Sequence, residues 1–275
     1  MKTTRLAFLG AGNMAGSLIG GLVAGGWDPD NIAVSDPDSE RLSALGSRFR
    51  INTDTNNHSV VENARVVVLA VKPQVIHEVA LDLASLVQKN QPLLISIAAG
   101  VRATDLQRWL GGSCALVRCM PNTPALVQSG ATALWRNENV TDEQTDLAET
   151  ILRAVGLALW VESEDLMDAV TALSGSGPAY FLLVMEALQE AGQALGLPED
   201  TARLLSLQTA FGAAKMALES DEDLAVLRRR VTSPGGTTEK ALEVLEAGRL
   251  RAVFSDALHA ARERSRQLAE QFGAE

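Results

Sequence analysis

The chain has 275 residues, 47% of them hydrophobic but only 4% aromatic, and 34 acidic against 24 basic groups leave a formal charge of −10. That length allows two domains, each with its own core, while the negative charge opposes the phosphate contacts that dominate nucleic-acid affinity, so no nucleic-acid partner is expected. No stretch reaches the ~18–20 uninterrupted apolar residues of a membrane span and the opening residues lack the apolar core of a signal peptide, so the expectation is a cytoplasmic protein with no membrane partner.

Leu6-Ala7-Phe8-Leu9 is a short apolar run that breaks into Gly10-Ala11-Gly12-Asn13-Met14-Ala15-Gly16, and from Met14 the apolar residues recur at helical spacing. Strand, glycine turn and helix in that order form a dinucleotide site, because the glycines let backbone approach a pyrophosphate at a helix N-terminus. A second strand over 32–34 ends in Ser35-Asp36-Pro37. Asp36 there can accept from a ribose 2′-hydroxyl, whereas Ser35 and nearby Arg41 can donate to a 2′-phosphate; a turn begun by Asp36 with Pro37 is the structural alternative. A charged helix follows over 38–48.

The continuous apolar run 66–71 reads as a parallel strand covered on both faces. It ends in Val71-Lys72-Pro73, with Pro73 at the first position of a helix reaching 88. Lys72 can face a cofactor phosphate, a substrate anion or only solvent. A strand over 93–97 closes on Ala98-Ala99-Gly100, small residues at a strand's carboxyl end, where ligands of open sheets bind. Further strands are expected over 115–120, 131–135 and 157–161, with a helix over 142–155. Cys114 and Cys119, five residues apart, point to opposite faces of their strand and do not pair with each other. His58, His77 and His259 are isolated, without metal-ligand spacing, so no metal is expected.

From Glu164 onward no strand is expected, only helical periods over 164–173, 178–195, 198–219, 221–230, 237–247 and 250–271, with the tail from 270 fraying. The fold class is therefore α/β, a doubly wound Rossmann-type sheet over residues 1–163 followed by an all-helical domain over 164–275. Phe181–Met185 and the run 204–218 are apolar around much of the helix, more than one small domain's stripe requires, so at least a dimer is expected. Arg228-Arg229-Arg230 reads as a solvated helix end. Two small-residue turns stand out in this half. Ser174-Gly175-Ser176-Gly177-Pro178 leads into a helix, and Ser233-Pro234-Gly235-Gly236-Thr237-Thr238 places backbone N–H groups and two hydroxyls at a helix start, where a small anion such as a carboxylate is favoured. A tightly turned helix start with no ligand is the plainer reading.

Taken together, the glycine turn, Ala70-Val71-Lys72-Pro73, Ser96-Ile97-Ala98-Ala99-Gly100, Met120-Pro121-Asn122-Thr123-Pro124, Ser174–Tyr180 and Ser233–Thr238 resemble the pyrroline-5-carboxylate reductases, in the family's order and over almost the whole chain. The resemblance implies reduction of L-1-pyrroline-5-carboxylate to L-proline, with NADP(H) favoured and NAD(H) possible. It also implies a helical dimerisation domain and dimers often assembled into rings. By motif, Gly235, Gly236, Thr237 and Thr238 would hold the substrate carboxylate and ring nitrogen, Thr238 being the catalytic position, with Thr171 and Glu164 close by. Gly10, Gly12, Asn13, Met14, Ser35, Asp36, Asn57, Val71, Lys72, Pro73, Ala98 and Ala99 would meet the cofactor. Asp36 departs from the basic residues many NADPH-using members carry, which leaves the cofactor preference open. The β-hydroxyacid dehydrogenases place a lysine in the interdomain helix, and 174–185 contains none. An NADP-binding sensor without turnover is the remaining alternative.

Overall fold

The computed structural model describes residues 2–274. Strand β1 (Leu6–Leu9) is wholly buried and feeds α1 (Asn13–Ala24). Next come β2 (Ile32–Ser35) and α2 (Ser39–Phe49), the helix starting on an Asp38 side chain that accepts from the N–H groups of Glu40 and Arg41. Two elements unforeseen in the sequence follow, β3 (Asn52–Asp54) and α3 (Asn57–Val61). All three residues of β3 are polar and exposed, so no apolar alternation announces it.

Strand β4 (Val66–Leu69) leads to α4 (Pro73–Asn90), and β5 (Leu93–Ser96) to α5 (Ala103–Trp109), also unforeseen. Strands β6 (Leu116–Met120) and β7 (Gly130–Arg136), helix α6 (Asp142–Arg153) and β8 (Gly156–Trp160) complete the sheet. Its order is β3-β2-β1-β4-β5-β6-β7-β8, with every pairing parallel except β6 with β7. The order reverses between β1 and β4, the switch point at which a doubly wound sheet opens a crevice beyond its strand ends.

Alternation along the strands builds one core on each face. Leu6 and Phe8 of β1 with Val66 and Val68 of β4 pack under α1 and α6. Ala7, Leu9, Val67 and Leu69 face the other way, toward Ile76, Leu83, Leu106 and Trp109. Cys119 belongs to the first core and Cys114 to the second, so the two thiols lie on opposite faces, both free.

The helix expected over 164–173 is instead three pieces: a 3-10 turn (Glu164–Leu166), α7 (Met167–Val170) and a π-turn (Thr171–Gly175). The widened turn is closed by the Ser176 N–H donating to the Thr171 carbonyl. Beyond it run α8 (Gly177–Ala194), α9 (Glu199–Leu218), α10 (Leu224–Arg230), α11 (Thr237–Ala247) and α12 (Leu250–Gly273). The expected fraying from 270 is corrected up to Gly273, the end of α12: Phe272 is buried in the second core and the Gly273 carbonyl accepts from Arg108 Nη2 at 2.8 Å. Glu275 lies outside the described residues.

The fold is thus an N-terminal Rossmann-like domain with a helical C-terminal half. It divides into two compact units, one of residues up to Ser176 together with those from Ala260 on, the other Gly177–His259. The second unit has almost no interior of its own. Within it Ala202 is buried, while Phe181, Leu183, Leu204, Phe211 and Val244 each expose more than half of their surface. Arg228, Arg229 and Arg230 form the exposed last turn of α10. Among the described residues no helix is long and apolar enough to cross a membrane.

Candidate functional site

In the first unit the carboxyl ends of four strands lie level, with Ser35, Leu9, Leu69 and Ser96 in register across β2, β1, β4 and β5. The chain leaves β1 through Gly10 at φ 103°, and a Cβ there would lie 2.6 Å from the Ala70 carbonyl oxygen. Glycine is therefore required both by the left-handed backbone and by the close approach of the turn to the end of β4. Gly12 caps α1 without any side-chain hydrogen bond, and nothing lies within 4 Å of where its Cβ would be. The first N–H groups of α1, at Asn13 and Met14, have no partner within the helix, and with the dipole they leave an open row of donors of the kind that favours an anion.

Asp36 is buried, and both its oxygens are engaged by backbone. Oδ2 accepts from the Ala11 N–H at 2.8 Å and Oδ1 from the Asp38 N–H at 2.9 Å. The carboxylate thus pins the glycine turn to the end of β2 and begins the turn into α2. Beside it the buried Ser35 hydroxyl donates to Asn57 Oδ1 at 2.7 Å, so two positions 22 residues apart share one contact. Lys72 is exposed at the N-cap of α4, with Pro73 in the helix's first turn and Val71 half-buried before it. Ala98 is buried and Ala99 half-buried beyond β5, where the Ala98 N–H donates weakly to Ser96 Oγ at 3.4 Å.

In the second unit Gly235 has φ 71°, and Gly236 caps α11 with no side-chain hydrogen bond. A Cβ on Gly236 would lie 2.9 Å from the Ser233 carbonyl oxygen, within the turn itself. The Gly236 N–H donates to that carbonyl, and the Gly235 N–H to Glu239 Oε2 at 2.8 Å. Both glycine N–H groups are thus engaged within the segment itself, that of Gly235 by a carboxylate from the helix's own first turn. Thr237 and Thr238 are exposed at the helix start.

Glu164 sits differently. Its Oε1 accepts from the Ala103 N–H at 2.7 Å and from Nη1 of Arg118, a β6 side chain only 8% exposed. Thr171 turns its hydroxyl back to the Met167 carbonyl. The two prolines of Met120–Pro124 frame Asn122, whose Oδ1 accepts from the Ala131 N–H and whose Nδ2 reaches Ser174. A Cβ on Gly175 would lie 2.3 Å from Met120 Cε, so the small-residue turn lets the two segments meet. The contact of Arg118 was not foreseen, and Asn122 was singled out only as part of a polar turn that lines the site or turns the chain; their partners lie 46 and 52 residues away in sequence, where no local pattern reaches.

Two family patterns match the chain: pyrroline-5-carboxylate reductase dimerisation over residues 164–268, and NADP oxidoreductase, coenzyme F420-dependent, over residues 5–100. A pyrroline-5-carboxylate reductase of Pseudomonas aeruginosa is 50% identical over 273 residues, 99% of this chain and 100% of that protein. The chain belongs to the pyrroline-5-carboxylate reductase family. Among solved structures, the family member from Coxiella burnetii superposes with a TM-score of 0.94 at 48% identity, covering 97% of this chain and 99% of that one. The Plasmodium falciparum pyrroline carboxylate reductase, solved with NADP bound, gives 0.86 at 30% identity, covering 98% and 99%.

Proposed function

We propose that the chain transfers hydride from NADPH or NADH to the C=N carbon of L-1-pyrroline-5-carboxylate, yielding L-proline and the oxidised dinucleotide and completing proline biosynthesis. The observation that carries this is the similarity to curated reductases of this reaction over 99% of the chain, both halves included. Residues 1–163 serve the dinucleotide and residues 164–275 the substrate and the partner subunit.

The dinucleotide, when bound, supplies the hydride. Gly10, Gly12, Asn13 and Met14 receive its pyrophosphate, Ser35, Asp36 and Asn57 its adenosine end, and Val71, Lys72, Pro73, Ala98 and Ala99 the reacting end. Asp36, with both oxygens bonded to backbone, shapes the glycine turn; NADPH is favoured, in line with the NADP bound by the Plasmodium falciparum relative, and NADH is usable. Gly235, Gly236 and Thr237 hold the substrate carboxylate. The Thr238 hydroxyl accepts from the protonated ring nitrogen and orients the imine carbon. A protonated cyclic imine is already a good hydride acceptor, so orientation and exclusion of water are the work left to the protein, and orientation can contribute ~7–11 kcal/mol. Thr171 and Glu164 act as positioning residues, Glu164 through Arg118 and Ala103.

The exposed apolar faces of α8 and α9 are covered by a second copy, and dimers assemble further into a ring; the enzyme works in the cytoplasm. The test is dinucleotide oxidation with L-1-pyrroline-5-carboxylate, wild type against Thr238→Ala. Loss of one hydrogen bond to a charged group, ~1.5–3 kcal/mol, lowers kcat/KM by about 10- to 100-fold and leaves NADPH affinity unchanged. Unchanged kinetics would remove Thr238 from the site, and tight NADPH binding without turnover of any imine would make the protein a sensor.

A further inference from the structure

A pocket of about 270 Å³ in the first unit is built almost wholly from charged side chains. Arg102, Arg118, Arg262 and Arg266 line it, opposed by Glu164, Asp165 and Asp168. One pair closes inside it, Arg118 with Glu164. Among the described residues Arg102, Arg262 and Arg266 make no ion pair within 4.0 Å, and Asp165 makes none either. Asp168 accepts only an uncharged donor, the Ser265 hydroxyl, at 2.6 Å. Three guanidinium groups and two carboxylates therefore face one cavity without neutralising each other.

The walls are fixed to one another. Arg102 caps α5, whose Arg108 bonds the Gly273 carbonyl at the end of α12. Arg262 and Arg266 lie one turn apart on α12, on the same face, and that helix is anchored by buried Ser265, Ala269 and Phe272. The Ser265–Asp168 bond ties α12 to α7, and Glu164 ties the 3-10 turn to β6 and to the start of α5. Such a frame holds charges in place without the ordering cost that weakens mobile surface pairs.

The two signs together select the ligand. A simple polyanion would meet the arginines but be repelled by Asp165 and Asp168, whereas a monocarboxylate would leave guanidinium charge unanswered. Three unpaired positive and two unpaired negative groups match a molecule with two carboxylates and one ammonium, and the volume suits one of amino-acid size. We propose that this pocket binds an acidic α-amino acid, its two carboxylates on Arg102, Arg262 and Arg266 and its ammonium on Asp165 and Asp168. Carboxylates pair with guanidinium through two parallel hydrogen bonds, which gives the site its geometric preference.

The test is isothermal titration calorimetry on the intact protein, without dinucleotide or imine, so that binding is read independently of turnover. The probes are L-glutamate, L-aspartate, L-glutamine, glutarate and inorganic phosphate. Glutamate or aspartate should bind saturably with a Kd near or below about 1 mM, while glutamine and glutarate, each lacking one charged group, should bind at least about tenfold more weakly. Arg262→Ala/Arg266→Ala, both at exposed positions, should abolish binding while the circular dichroism spectrum is kept. Asp165→Asn should weaken glutamate about tenfold and leave glutarate unchanged or tighter, a crossover that misfolding cannot produce. Phosphate binding as tightly as glutamate, an Asp165→Asn variant that weakens both acids equally, or no saturable heat with either acidic amino acid would overturn the assignment.

Discussion

Glu164 and Arg118 form the most consequential ion pair in the first unit, and breaking it from each side separates a structural role from a substrate-contact one. Arg118 is 8% exposed and Glu164 21%. Glu164→Ala leaves the buried guanidinium and the Ala103 N–H without an acceptor, for which ~3–5 kcal/mol of stability is lost. Arg118→Met removes the charge with its stem's volume roughly kept. The carboxylate left behind reaches more solvent and still accepts from Ala103, so the cost is about 1–3 kcal/mol. With both changed, neither charge is stranded, and the double variant should be no worse than Glu164→Ala alone, giving a coupling energy at least as large as the Arg118→Met cost, about 1 kcal/mol or more. Urea unfolding by circular dichroism, with all four proteins at one concentration, measures it. A coupling below ~0.5 kcal/mol, with Glu164→Ala no worse than a surface substitution, would refute the reasoning and return Glu164 to direct contact with substrate.

Gly10→Ala places a methyl 2.6 Å from the Ala70 carbonyl at a φ of 103°; fluorescence titration should show NADPH affinity reduced at least about tenfold, and an unchanged Kd would take the turn out of the cofactor site. Phe211→Glu on α9 removes an apolar ring 62% exposed in the single chain. If the ring is buried once on each side of a two-fold interface, about 3–6 kcal/mol is lost, and light scattering should report a smaller particle; an unchanged mass would place the interface elsewhere. Burial pushes the Cys114 thiol up to about 11 and Cys119 higher still, so neither should react with a disulfide reagent at pH 8 until the protein is unfolded, and fast labelling of the native protein would contradict the packing of both.

The sheet was legible because its inner strands are continuous apolar runs, each ending in a turn with small residues or proline. The run read as a buried strand over 66–71 forms one over Val66–Leu69, with its last two residues in the turn after it. Elements with no apolar period of their own were invisible, β3 most of all. Helix α5 left a signal, since Ala103, Leu106 and Trp109 are buried at spacings of three, but seven residues between glycine-rich turns give a weak period. The helix expected over 164–173 shows the opposite failure. Its apolar residues recur at helical spacing, yet the Ser163 cap, the Glu164 tether to β6 and the π-turn at Thr171 impose a tertiary path that no local period records.

The open helix starts were more legible than the electrostatics around them, and the N-cap residues explain why. Helices α2, α3 and α6 begin on Asp38, Asn56 and Thr141, each of which caps its helix with its own side chain. Helices α1 and α11 begin on Gly12 and Gly236, which cannot. Glycine at an N-cap costs only a few tenths of a kcal/mol relative to a capping side chain, so the loss is small and the gain is an open row of N–H donors at the positive end of a dipole. That choice is written in the residue itself and is readable in sequence. What occupies a charged side chain is not: Asp36 spends its oxygens on Ala11 and Asp38, and Glu164 on Arg118 and Ala103. Whether an acid faces a ligand or its own backbone is decided by three-dimensional neighbours. Open backbone N–H rows could therefore be read before the fold was known, whereas the partners of acidic side chains could be read only after it.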